Sequence, residues 1–211
     1  MSQVDTLRAA VIASHIIMRV IAIISSLLAL VSVAGCGGKP FNVQPRPAQP
    51  PISNAGTEAY GLTIQAEAVA DENYLYDTFD ANLILAGILP VRVRVTNSRT
   101  EPFEIDEARF EVRVSSNRTY KSMEPKKAYE RLISYYGIST YSKGGYRESR
   151  SDFASYGLDL SGSLGEGESR QGILFFPVPD DQIRAGGLTL IARRLEARES
   201  KSKATVEIRL D

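Results

Sequence analysis

Apolar and polar positions along the chain follow more than one rhythm. Val20 to Val33 is an unbroken run of 14 residues without a charge. From about Ala59 onward the apolar residues recur at every second position, the period of a strand with one buried face. Leu62, Ile64, Ala66 and Ala68 alternate with polar residues. Val91, Val93 and Val95 alternate with Arg92 and Arg94, and Pro90 stands at the strand start, where a missing donor is tolerated. Phe110, Val112 and Val114 alternate with Glu111 and Arg113. Leu158 and Leu160 begin a further strand, Ile173 to Val178 is a short apolar run, and Leu188, Leu190 and Ala192 follow. Ala204, Val206, Ile208 and Leu210 make the last.

Turn residues separate these segments: Asn97-Ser98, Gly165-Glu166-Gly167, Pro179-Asp180-Asp181 and Gly186-Gly187. About seven strands with one apolar face predict two antiparallel sheets packed together, a mainly β, immunoglobulin-like antiparallel β-sandwich. No helical segment separates successive strands at the C-terminal end, which argues against a parallel α/β sheet. Residues 115–157 interrupt the rhythm as a helix-containing insertion. Pro125 to Tyr136 predicts a helix, with proline at its start, Gly137 at its end, and Ala128, Leu132, Ile133 and Tyr136 on one face. A weaker helical patch spans Thr78 to Leu85. Ile138 to Tyr156, rich in Tyr, Ser, Gly and Arg, reads as a long loop, and long insertions are commonly functional.

The apolar run is too short for a comfortable transmembrane helix, which needs about 20 residues. Arg19 precedes it and small residues follow it, the layout of a secretory signal. Met18 is an alternative start that would make that signal compact. The exit reads Val33-Ala34-Gly35-Cys36, and Cys36 is the only cysteine of the chain. This segment resembles the lipobox of bacterial lipoproteins. The resemblance implies cleavage between Gly35 and Cys36, lipid on the Cys36 sulfur, and a membrane anchor. Gly37, rather than aspartate, follows the cysteine, which points to an outer-membrane lipoprotein facing the periplasm. The chain then divides into a signal peptide (1–35), a lipidated linker (36–58) and a sandwich domain (59–211). The linker carries Pro40, Pro45, Pro47, Pro50 and Pro51, so an extended tether is expected. At about 3.1 Å per residue it would reach about 65 Å. Two runs, Leu89 to Asn97 and Gly167 to Pro179, resemble immunoglobulin-like domains of uncharacterised bacterial lipoproteins, a likeness that implies fold and not activity.

Formal charge is balanced at 25 basic and 25 acidic residues, which lacks the excess expected of a nucleic-acid binder. The single histidine, His15, lies in the leader, so the domain has no imidazole or free thiol for a triad or a zinc site. Carboxylate-only hydrolysis is the one enzymatic reading left. Asp71, Glu72, Asn73, Asp77 and Asp80 could ligate calcium, but their spacing departs from an EF-hand loop and suits a turn and helix cap better. Asn117-Arg118-Thr119 matches a glycosylation sequon without further support. Seven of the ten tyrosines fall in residues 115–157. Tyr135, Tyr136, Tyr141, Tyr146 and Tyr156, interleaved with Arg147 and Arg150, form a candidate partner-binding set, because Tyr and Arg dominate binding hot spots. The expectation is a non-enzymatic, lipid-anchored binding module for an envelope protein, with envelope glycan or peptidoglycan as the alternative ligand. No cofactor, metal or nucleic acid is expected.

Overall fold

The computed structural model describes residues 38–46, 52, 56–59, 61–197 and 203–210. The leader, Gly35 and Cys36 lie outside the described residues. Among those residues the chain forms ten strands: β1 Thr57–Ala59, β2 Leu62–Ala68, β3 Leu89–Asn97, β4 Phe103–Glu104, β5 Arg109–Arg113, β6 Thr119–Lys121, β7 Ser163–Leu164, β8 Ser169–Phe176, β9 Thr189–Ala197 and β10 Lys203–Arg209. The helices are α1 Glu72–Phe79, α2 Pro125–Tyr136, α3 Lys143–Ser155 and the short α4 Asp180–Arg184.

The protein is mainly β, and all strand pairs are antiparallel. One sheet runs β1-β2-β3-β8; the other runs β6-β5-β9-β4-β7, with β10 on the far edge of β9. Period-two alternation sets the register. Ile64 faces Val95, Ala66 faces Val93, and Val91 faces Leu174, so one surface of the first sheet is apolar through its centre, with Arg170 and Asn97 at one end. The opposite surface carries Phe175, which stacks on Phe153 of α3 at 4.9 Å. The first sheet is therefore covered by the second sheet on one side and by helices on the other. Phe110, Val112, Leu190, Ala192, Val206 and Ile208 supply the second sheet's buried side.

Six of the expected strands form. The one expected at Leu158 and Leu160 does not: Gly157 makes only a single parallel bridge to Ile173, and Leu158 donates to the Ile173 carbonyl at 3.1 Å. Gly172 permits that close passage, because a Cβ there would lie 2.4 Å from the Leu158 Cα. Four strands of two or three residues, β1, β4, β6 and β7, are too short to show alternation. β9 carries a bulge: Ala204 faces Leu195 but Val206 faces Ala192, leaving Arg193 and Arg194 opposite Thr205 alone.

Three other expectations are corrected. The helix placed at Thr78–Leu85 lies earlier, at Glu72–Phe79. Asp71 caps it by accepting from the Tyr74 amide at 2.9 Å, and Asp80 ends it in the left-handed conformation (φ 56°). The loop placed at Ile138–Tyr156 is mostly α3, started by Ser142, which accepts from the Gly145 amide at 2.9 Å. Finally, the tether does not stand free of the domain through 39–46. Phe41 and Val43 are buried in the domain core, and Arg46 donates to the carbonyls of Ser155 and Gln171 at 2.8 and 2.6 Å. Burying two apolar side chains favours docking over a free spacer.

Candidate functional site

The insertion between β6 and β7 folds into an antiparallel pair of helices. Pro125 occupies the first turn of α2, where its missing amide costs nothing, and Gly137 closes the helix at φ 62°. Ala128, Tyr129 and Leu132 bury one stripe of α2; Ser149 and Phe153, four apart, bury the matching stripe of α3. The docked N-terminal segment lies along the pair. Ser149 donates to the Phe41 carbonyl at 2.6 Å, and Lys39 pairs with Glu148 at 2.7 Å.

An unbroken series of ring contacts runs through this layer. Tyr135 meets Tyr136 edge-on at 5.1 Å, and Tyr136 meets Phe41 at 5.8 Å. Phe41 meets Tyr129 at 5.9 Å, Tyr129 meets Tyr146 at 5.7 Å, and Tyr146 stacks on Tyr141 at 5.2 Å. Inward, Tyr129 touches Phe153, which reaches Phe79 and Phe175. The outer rings therefore rest on a packed aromatic floor.

The candidate residues divide by exposure. Tyr135 and Tyr141 present 53% and 37% of their surfaces to solvent, and Arg147 is exposed. Tyr146 is half-buried beneath the Arg150 guanidinium, 5.3 Å from its ring, and Arg150 also reaches Glu130 at 3.7 Å. Tyr136 is half-buried; its hydroxyl accepts from the Asn82 amide at 3.0 Å and donates to the Asn82 carbonyl at 3.3 Å. Tyr156 is completely buried, donates to the Gln44 carbonyl at 2.9 Å, and belongs to the core. Desolvation pushes its phenol up to about 12. Burial likewise raises the Tyr129 and Tyr136 phenols. The sequence reasoning missed Tyr76, 47% exposed beside the Tyr136 hydroxyl, and Leu85, 37% exposed. Tyr76 flanks the buried stripe of Leu75 and Phe79 on α1. Together these side chains make an open patch of ring faces and edges with cations at its rim. It is suited to apolar and hydrogen-bonded contact.

The strand order defines the class. Leaving aside the short strands β1, β4 and β7 and numbering the other seven in chain order, the first, second and fifth (β2, β3, β8) share one sheet, and the third, sixth and seventh (β5, β9, β10) share the other. That is the immunoglobulin-like sandwich, with the fourth strand, β6, beside the third. No protein-family model matches the chain, and no curated protein does. Solved structures resemble it distantly. A conserved hypothetical protein from Bacillus anthracis has 10% identity and a TM-score of 0.37, over 72% of this chain and 92% of that one. A functionally unknown protein from Listeria monocytogenes has 12% identity and a TM-score of 0.36, over 74% and 80%. An uncharacterized beta-sandwich protein from Clostridium difficile has 10% identity and a TM-score of 0.31, over 78% and 100%.

Proposed function

We propose that the chain is a lipoprotein of the cell envelope, anchored through Cys36. Its sandwich domain is a non-enzymatic module that docks a protein partner at the membrane surface. The anchor rests on the sole cysteine standing after an uncharged run and two small residues. Gly37 in place of aspartate supports the periplasmic face of the outer membrane as its site. The observation that carries the docking role is the exposure of Tyr76, Leu85, Tyr135 and Tyr141 above a rigid aromatic floor. Preorganised rings bind without first losing their own freedom. The place of the partner follows from chain length. Packing begins at Lys39, so only three Cα steps, about 11 Å at most, separate Cys36 from the domain. Phe41, two residues further on, touches the patch through Tyr136. A partner reaching these tyrosines therefore stands beside the same membrane.

Photo-cross-linking tests the docking role. A photoreactive residue is placed at Tyr135 or Tyr141 in the membrane-bound chain, and at Thr205 on the second sheet as control. The proposal expects one discrete protein adduct from the first two sites, none from Thr205, and loss of the adduct in Tyr76→Ser. Adducts of equal yield at all three sites would contradict it. Adducts with phospholipid alone, or retention of the chain on peptidoglycan that Tyr135→Ser and Tyr141→Ser abolish, would replace the protein partner with bilayer or glycan.

A further inference from the structure

We propose that the solvent face of the second sheet holds a binding site for a phosphoryl group, in the cleft between β5, β6 and β9. The cleft has a volume of about 400 Å³ and is lined by Arg109, Glu111, Lys121, Ser122, Arg193 and Arg194. Four cations and one carboxylate meet there, in a chain whose total charge is balanced.

The way the cations come together breaks several local rules at once. Arg109 and Arg193 are direct cross-strand partners, an arrangement in which like charges repel. The β9 bulge turns two consecutive residues, Arg193 and Arg194, out to solvent, where alternation would have sent one inward. Arg194 adopts the left-handed conformation (φ 57°), which only glycine and, less often, Asn or Asp adopt readily. A sequence under selection for the sandwich alone would place a glycine or asparagine at that bulge and a neutral residue opposite Arg193. Departures from such rules gather at functional sites.

The charge on this cleft is only partly answered within the domain. Arg193 reaches Glu111 at 3.6 Å. Arg109 donates to the backbone carbonyls of Glu107 and Ala108 at 2.9 and 3.0 Å. Lys121 and Arg194 make no ion pair among the described residues. Arg194 also lines a neighbouring acidic cleft with Glu104, Asp106, Glu107 and Glu196, which bounds the positive field on that side. An anion is therefore drawn toward Arg109, Lys121 and Arg193 instead of spreading along the sheet. Guanidinium forks match the oxygen spacing of a phosphoryl group, and a lysine adds a compact charge. The site lies across the sandwich from the aromatic patch and does not depend on it.

Pyrophosphate binding, measured by calorimetry at low salt, tests the site. The full chain carrying Cys36→Ser is compared with the same chain bearing Arg109→Gln and Arg194→Asn, and separately with one bearing Lys121→Gln. The proposal expects saturable binding that weakens at least about tenfold in the double variant and also weakens with Lys121→Gln, with screening by added salt. It also expects the unliganded double variant to melt at the same or a higher temperature, because repulsion and backbone strain are both removed. That readout separates lost binding from lost folding. Absence of pyrophosphate binding, or binding equal in all variants, would overturn the proposal, as would citrate binding more tightly than pyrophosphate. Vesicles with and without phosphatidylglycerol then identify the source. Vesicle capture lost in the double variant marks a lipid headgroup, and unchanged capture marks a soluble phosphate.

Discussion

Asn97 is completely buried, and its side chain holds one end of the sandwich together. Its amide nitrogen donates to the carbonyls of Glu101, Leu164 and Gly165 at 2.9, 3.1 and 3.2 Å. Its side-chain oxygen accepts from the Arg99 amide at 3.0 Å. Its backbone exchanges bonds with Gly167 and Glu168. Asn97→Ala would strand several buried carbonyls at once, at about 1 to 3 kcal/mol for a typical orphaned group. A loss of at least about 3 kcal/mol is expected in urea denaturation. The same corner shapes the acid response. The Gly165 amide, then Arg170, holds the Glu168 carboxyl below its ordinary range, and Arg113 does the same for Glu207. Their folded values lie below the unfolded ones. Their stabilisation is thus complete above the ordinary glutamate value, about 4.3, and is lost as pH falls through the depressed values. Tyr156 acts on the alkaline side. Its raised phenol stabilises the fold below the ordinary value, about 10, and that contribution is lost as pH rises toward about 12. Thermal melts across pH should fall off at both ends, and Tyr156→Phe should flatten only the alkaline limb. The sequence marked Asn97-Ser98 and Gly165-Glu166-Gly167 as turns. That the two meet was not legible, because the pairing is set by strand order and not by either segment.

At the scale of elements, legibility follows how strongly a segment's own pattern favours one structure. β2, β3, β5, β9 and β10 lie on segments that alternate over five residues or more, β8 is a continuous apolar run, and α2 has proline at one end and glycine at the other; all of these signals are local. α3 has Gly144 and Gly145 in its first turn and a polar composition, so propensity argues against it. It forms because Phe153 finds a site among Phe79, Tyr129 and Phe175. Phe153→Ala should therefore cost about 3 to 5 kcal/mol. The loss should fall first on α3, read as faster amide exchange across 143–155 than across β3. The tyrosines split for the same reason. Composition selected Tyr135, Tyr141 and Tyr156 alike, and only tertiary packing sent Tyr156 inward and left the other two at the surface.

For the whole molecule, the described chain is a sandwich with a helical layer on one side and a basic cleft on the other. The N-terminal segment belongs to the helical layer from Lys39 onward. Composition concealed this, since proline-rich residues ordinarily read as spacer and only Phe41 and Val43 hinted otherwise. On the proposal that Cys36 carries the anchor, three Cα steps, about 11 Å at most, would separate it from the docked segment, against about 65 Å for an extended linker. That geometry, and the docking role built on it, both require lipid at Cys36. The decisive measurement is the intact mass and membrane partition of the mature chain, with and without Cys36→Ser. The account predicts a wild-type product lacking residues 1–35, heavier by the attached lipid and held in membranes, and a serine variant that is neither lipidated nor retained. Two chains that mature to the same processed form and partition alike would contradict it.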